Sequence, residues 1–164
     1  MTIVKESTDP LRAQLVRALD WEEAHAGFDK AAAGIPADRC GSHIAGFEHS
    51  PWQLLEHLRI AQNDLLDFCA NAKYVHALKW PDDYWPRHAA PPDAAAWSRS
   101  VAQFTADRDM LKELVRNPRV DLFATVPTGT GTQTYLRTIL LVIDHAAYHV
   151  GQLIAVRQAL GLWP

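Results

Sequence analysis

The chain has 164 residues, of which 48% are hydrophobic and 21% are charged, and this composition suits one globular domain with a buried core. Its formal net charge of −3 supplies no general attraction to nucleic acid or to an anionic membrane, so we expect neither as a partner. The first ten residues contain no apolar h-region, and no uncharged apolar run approaches the roughly 18 residues of a membrane span. We therefore expect one cytoplasmic domain over residues 1–164.

Capping signals mark the first two predicted helices. The first begins at Asp9 and Pro10, because Asp is a favourable N-cap and Pro suits the first helical position, and it continues to a Gly-Ile-Pro stop at residues 34–36. The second begins at Ser50, which Pro follows at once and Gln three residues later, the pattern of a capping box. Apolar residues then recur at helical spacing, at Leu54, Leu58, Ala61, Leu65 and Phe68.

A long loop separates the second predicted helix from the third. Residues 71–91 are rich in prolines and aromatic side chains, which indicates an ordered loop packed on the body of the protein. The third helix is predicted from Asp93 to about Asn117, where a proline follows. Residues 121–134 are Gly-rich and β-branched, and they predict a loop with at most one short extended piece.

The fourth predicted helix runs from about Thr134 to Leu160 and stops at Gly161. At 1.5 Å per residue it would be about 40 Å long. Four long helices without an alternating strand pattern predict an all-α, up-down four-helix bundle. Its distinguishing feature would be the long aromatic and proline-rich loop between helices two and three.

Three histidines are predicted to face the interior of this bundle. His145 and His149 lie one turn apart on the fourth helix, about 40° from each other around its axis, within its apolar arc. His57 borders the apolar stripe of the second helix. Burial of an imidazole is unfavourable unless its nitrogens find partners, and one divalent transition metal ion would supply them.

The ligand types limit which ion such a site would hold. Imidazoles suit Zn or Ni, and also Fe or Cu, and the sequence does not choose among these metals. Three histidines from two helices would leave positions open for water or substrate, as catalytic metal sites do. From the spacing alone, the alternative is that the histidines are core residues satisfied by carbonyls or carboxylates.

Two segments resemble the DinB-like (YfiT-like) metal-binding four-helix bundles. The sequence SPWQLLEHLRIAQ at residues 50–62 places one histidine on the second helix, and DHAAYHVGQLIAVRQALG at residues 144–161 carries an H-x-x-Y-H-x-G-Q pattern. Helix order and loop lengths agree along nearly the whole chain. The resemblance implies that the metal triad of the family falls on His57, His145 and His149.

The resemblance also implies a function. Known activities of the family are mainly transfers involving low-molecular-weight thiols, for example bacillithiol S-transferases and the mycothiol-dependent maleylpyruvate isomerase, and its members are often homodimers. We therefore expect a metal-dependent thiol transferase that acts on a small-molecule substrate, with the thiol presented as a thiolate. The alternatives are a metal-dependent hydrolase and a non-catalytic stress-response or binding module in which the metal is structural.

Four further side chains are candidates near this site. Gln152 lies on the same face as His145, where it could orient a bound water or substrate or could make an ordinary interhelical hydrogen bond. The rings of Trp52 and Trp85 could wall a pocket or could only cover the end of the bundle. Asp64 is the candidate general base for hydrolysis, with a bundle-edge position as the alternative.

The remaining histidines are expected outside the triad. We expect His25 at the surface, with a role as a fourth ligand as the alternative. His49 precedes the second helix and could pack in the loop or approach the mouth of the site. The other three lie in predicted loops and are expected to be solvated, namely His43, His76 and His88.

Overall fold

Five α-helices and no β-strand are found in residues 9–163, the part of the chain that the computed structural model describes. The predicted all-α class is therefore confirmed. The interpretation of the first residues as lacking a signal sequence falls mostly on residues 1–8, which lie outside the described part. The helices are α1 (Pro10–Ala18), α2 (Phe28–Ala32), α3 (Pro51–Ala70), α4 (Ala96–Arg116) and α5 (Tyr135–Ala159).

The first predicted helix is in fact two helices, α1 and α2, separated by an irregular segment. The buried Arg108 of α4 explains the break, because its guanidinium pairs with both Asp20 and Asp29 at N–O distances of 3.0 Å. In one continuous helix these two carboxylates would be about 13.5 Å apart along the axis and on opposite faces. The prediction of a single helix over this segment is therefore wrong, and the ion pairs supply the physical reason.

The two site-bearing helices begin where the sequence predicts, and the capping box predicted for the first of them is present. The Ser50 hydroxyl accepts a hydrogen bond from the Gln53 N–H at 3.2 Å, and the Gln53 side chain accepts one from the Ser50 N–H at 3.1 Å, which completes the capping box of α3. Thr134 caps α5 through a 3.2 Å bond from the Arg137 N–H. These caps fix where each helix starts, and so fix where its histidines fall.

The bundle consists of α1, α3, α4 and α5, since α1 and α3 each pack against both α4 and α5. Two core clusters show the directions of the helices. The starts of α3 and α4 share one cluster with the end of α5, and the ends of α3 and α4 share the other cluster with the start of α5. Helices α3 and α4 therefore run parallel, and α5 runs antiparallel to both.

The segment between α3 and α4 makes this parallel pair possible. Residues 71–95 carry the chain back along the bundle and include a short 3₁₀ turn, Asp82–Tyr84. Strict up-down alternation, as predicted for the bundle, does not hold for α3 and α4 because this long loop replaces a tight connection. The predicted short extended piece is an isolated antiparallel bridge between Thr125 and Thr134.

Helix α5 is the most apolar element of the chain. By length and composition alone it could cross a bilayer: its most apolar 18-residue window has a mean hydropathy of 1.5, and 33% of that window is buried. One such helix is weak evidence for a membrane span, because core helices of soluble proteins have the same composition. The expected absence of a membrane partner, the cytoplasmic location and the homodimer all stay predictions.

Candidate metal centre

Three histidines converge in the bundle at the level where the first half of α3 faces the middle of α5. The Nε2 atom of His57 lies 3.0 Å from the Nε2 atom of His145 and 3.0 Å from that of His149. His57 and His149 are buried, and His145 is partly buried. Within residues 9–163, these three form the one group of at least three His, Cys, Asp or Glu side chains close enough to share a metal ion.

The spacing of the three nitrogens fits a single ion. Imidazole nitrogens bound to zinc at 2.0–2.1 Å in tetrahedral geometry stand about 3.3 Å apart. The two distances of 3.0 Å from His57 therefore need only a small adjustment of the rings, and all three ligand atoms lie within 4.8 Å of one another. One turn of α5 separates two of the ligands, and the third comes from α3, as the sequence predicts.

Hydrogen bonds at the opposite ring nitrogens assign the tautomers. The Nδ1–H of His57 donates to the backbone carbonyl of Tyr84 at 2.9 Å, and the Nδ1–H of His149 donates to the Oε1 atom of Gln152 at 2.6 Å. In a neutral ring this leaves Nε2 with a lone pair. Lone pairs that face each other at 3.0 Å repel unless a cation lies between them, so the donor set suits a metal.

The environment keeps the three rings neutral at physiological pH. Burial lowers the pKa of His57 to about 4, and the nearby His149 ring acts in the same direction. Burial lowers the pKa of His145 to about 3, and the adjacent His149 and His57 rings add to the effect. Burial also lowers the pKa of His149. Since only neutral imidazole binds a metal, all three rings are in the form that a ligand requires.

The indole of Trp85 covers one side of the centre. It stacks on the His57 ring with centroids 3.8 Å apart and an interplanar angle of 2°, and His49 stacks on the same indole at 3.7 Å. No contact joins the two imidazoles among the described residues, so the indole lies between them. His49 therefore lies at the edge of the site, in contact with Trp85. This agrees with the second of its two predicted placements, at the mouth of the site rather than only in the loop.

A cleft of about 720 Å³ leads to the centre and reaches it at His149. Trp85 forms part of the cleft wall, which is the first of the two roles predicted for it. Trp52 does not line the cleft. The Trp52 ring is buried in the core and borders a separate depression of about 350 Å³, so the prediction that it walls a pocket at the metal site is corrected. The other residues that line the cleft are Phe47, Glu48, His49, Leu54, Pro81, Asp82, Asp83, Pro86, Arg87, Tyr148, Gln152 and Val156.

The structure gives Gln152 and Asp64 contacts that the sequence does not predict. Gln152 bonds within its own helix, accepting from His149 and donating to the Tyr148 hydroxyl at 3.3 Å, so it fixes a ligand ring and makes no interhelical bond. Asp64 accepts hydrogen bonds from the hydroxyls of Tyr74 and Tyr84 at 2.8 and 2.6 Å. Both Asp64 oxygens thus bond to phenols, and its role as a general base stays a prediction.

The remaining histidines stay outside the triad. His25 is exposed, and its Nδ1 atom lies 3.0 Å from the Ala26 carbonyl. It lines a separate apolar cavity of about 460 Å³ beside α1 and α5, a cavity that none of the three converging histidines touches. The loop histidines are exposed as predicted, namely His43, His76 and His88.

The geometry defines a class of protein: an all-helical bundle in which α3 and α5 supply three inward-facing histidines. A family model described as the DinB superfamily matches residues 20–153. The chain therefore belongs to the DinB superfamily. No curated protein and no solved structure matches it at a significant level.

Two contacts of the centre were missed by sequence reasoning. The Tyr84 carbonyl that accepts from His57 is a backbone group, so the identity of the residue at position 84 does not predict this hydrogen bond. The stack of His49 on Trp85 joins residues 36 positions apart, and no periodic pattern connects them. The Gln three residues after His149 was a detectable signal, because that spacing places both side chains on one face of a helix.

We expect Gln152→Leu to weaken metal binding without unfolding the protein. The change removes the acceptor that fixes the His149 ring and keeps the size of the side chain, and loss of such partners commonly lowers metal affinity about 10- to 100-fold. Competition with a chromophoric chelator measures the affinity. Gln158→Leu, on the exposed part of the same helix, is the matched control, and an unchanged affinity in Gln152→Leu would contradict the role.

Proposed function

We propose that this chain is a metal-dependent transferase that joins a low-molecular-weight thiol to a small electrophile. The observation that carries the proposal is the convergence of three neutral Nε2 atoms at the inner end of an open cleft. Membership of the DinB superfamily supports it as well. Zinc or nickel is the metal that we propose, since both accept imidazole ligands.

The donor set determines what the bound ion would supply. A divalent ion held by His57, His145 and His149 would lower the pKa of a thiol in the cleft, so that the thiolate is present at neutral pH. In the reaction, a sulfur–carbon bond forms while the electrophilic carbon loses its bond to the leaving group. The thiol proton passes to solvent, and no oxidant or reductant is required.

The side chains of the protein would orient the partners and limit the entry of water. Trp85 covers His57 on one side, which leaves the cleft beside His149 as the approach to the centre. Tyr148 lies on the cleft wall with its hydroxyl oxygen accepting from Gln152, so its own proton is free to bond to the electrophile. These are positioning and hydrogen-bonding roles, and they need no charged side chain at the centre.

A two-dimensional screen of thiols against electrophiles tests the proposal. We expect the zinc- or nickel-loaded protein to form a thioether with at least one thiol, and His149→Ala to lower the rate at least 100-fold because a ligand is lost. His25→Ala, an exposed histidine outside the site, is the matched control. Fully loaded protein that turns over no thiol, or that incorporates solvent oxygen into a product instead, would contradict thiol transfer and favour hydrolysis.

A further inference from the structure

We propose that Asp64 and Tyr84 are positioning residues that fix the tautomer and orientation of the His57 ring, an inference that rests on the proposed metal-dependent function. The contact between them lies on the opposite side of Tyr84 from His57. Its effect on His57 is carried through the loop that contains Tyr84, and neither residue supplies a ligand atom to the centre.

Tyr84 is attached to α3 at two points. Its backbone carbonyl accepts the Nδ1–H of His57 at 2.9 Å, and its phenol donates to the Oδ2 atom of Asp64 at 2.6 Å. Tyr84 is only 6% exposed, and His57 only 1%, so water does not easily replace the bond between the imidazole and the carbonyl. One loop residue thus links a partly buried carboxylate to the ring of a candidate ligand.

The spacing on α3 explains why one residue can make both bonds. His57 and Asp64 are seven residues apart, which is two helical turns, about 10.5 Å along the axis and on nearly the same face. A tyrosine that lies along this face reaches one site with its carbonyl and the other with its hydroxyl. Because the two hydrogen bonds are far apart, together they prevent the loop from rotating. A single hydrogen bond would allow that rotation.

The surrounding phenols hold the Asp64 carboxylate in place. Tyr74 donates to its other oxygen at 2.8 Å, and the Nε2 atom of His76 lies 3.1 Å from the Tyr84 hydroxyl. Burial, together with the adjacent carboxylate, raises the pKa of Tyr84 well above its ordinary value. The phenol therefore remains protonated and keeps donating to Asp64 over the whole physiological range.

Without the Asp64 contact, the Tyr84 carbonyl would lose its attachment to the second site on α3. It would then be held only within its own loop, by the His76 contact to the phenol, the bond from the Tyr84 N–H to the Pro81 carbonyl at 3.1 Å, and packing. The Nδ1–H tautomer of His57 is the one that leaves Nε2 free for a metal, and it is selected by that carbonyl. Removing the anchor would therefore mix the tautomers of His57. A metal would then have to select the competent tautomer, at a cost in affinity.

The test measures the His57 tautomer in metal-free protein by ¹⁵N NMR at pH 7.5, and zinc affinity by competition with a chelator. Tyr84→Phe removes only the hydroxyl and keeps the carbonyl, and Asp64→Ala removes the acceptor. We expect the wild type to hold the Nδ1–H tautomer, both variants to show a mixture, and their zinc affinity to fall about tenfold or more. Asp64→Asn, which retains one acceptor oxygen, should be intermediate.

Asp67→Ala is the matched control, since Asp67 is an exposed acid on the same helix whose carboxylate accepts a hydrogen bond from the exposed Asn71 and none from Tyr84. A wild-type tautomer in both Tyr84→Phe and Asp64→Ala overturns the positioning role, whatever the zinc affinity. If the wild type binds no zinc but the variants still change the tautomer, the proposed metal-dependent function fails and the positioning role stands.

Discussion

Simultaneous replacement of His57, His145 and His149 by alanine is expected to remove metal binding completely. The wild type should retain one divalent ion per chain after dialysis against metal-free buffer, measured by elemental analysis, and the triple variant should retain none. The reason is that, within residues 9–163, these three rings are the protein ligands of the centre. Single alanine variants should bind far more weakly, because two imidazoles alone form an incomplete site.

Melting curves with and without a chelator complete this test. A ligand that binds only the folded state stabilises it by about 4 kcal/mol when present at 1,000 times its Kd, so chelation should lower the melting temperature of the wild type but not of the triple variant. His25→Ala should behave as the wild type does. Equal metal content in the triple variant and the wild type would show that the ion is bound elsewhere.

The same curves separate a catalytic centre from a structural one. At a catalytic centre, chelation removes activity while the circular dichroism of the helices persists at 25 °C. If the bundle unfolds on chelation at that temperature, the structural-metal alternative is favoured. We expect the folded apo-protein to persist, because two apolar core clusters, formed without the histidines, connect α3, α4 and α5.

Acidification from pH 7 to pH 5 is expected to destabilise the metal-free protein. In the unfolded chain a histidine has its ordinary pKa near 6.5, whereas in the folded chain burial lowers the pKa of His57 to about 4 and that of His145 to about 3. Between these values the unfolded chain binds more protons. The free energy of unfolding should then fall by up to about 1.4 kcal/mol per pH unit for each histidine.

The direction and the limits of this effect follow from the two pKa values. Above about pH 6.5 neither state takes up a proton at these rings, so their contribution is flat. It decreases as the pH falls and levels off below about pH 3, where both states are protonated. Urea titrations at pH 7, 6 and 5 measure the slope. An equal slope in the triple alanine variant would contradict the assignment to these rings.

The sequence predicted where the site-bearing helices start and which helix face carries the histidines, because both depend on local interactions. The predicted Ser50 capping box is present in the structure, and the last helix begins at the predicted position, next to Thr134. The placement of His145 and His149 on one face follows from their spacing alone, and the apolar stripe of α3 gave the third histidine. The centre is thus the part of the site that helical periodicity determines.

Long-range contacts decided the rest. Arg108 divides the first predicted helix because it pairs with two carboxylates that a continuous helix would separate, and the loop at residues 71–95 turns α4 parallel to α3. The Tyr84 carbonyl selects the tautomer of His57 although no side-chain type encodes a backbone acceptor. Sequence periodicity fixes which face a residue lies on, whereas the partner on the other side of that face depends on segments that are distant in the chain, and only the folded structure brings those segments together.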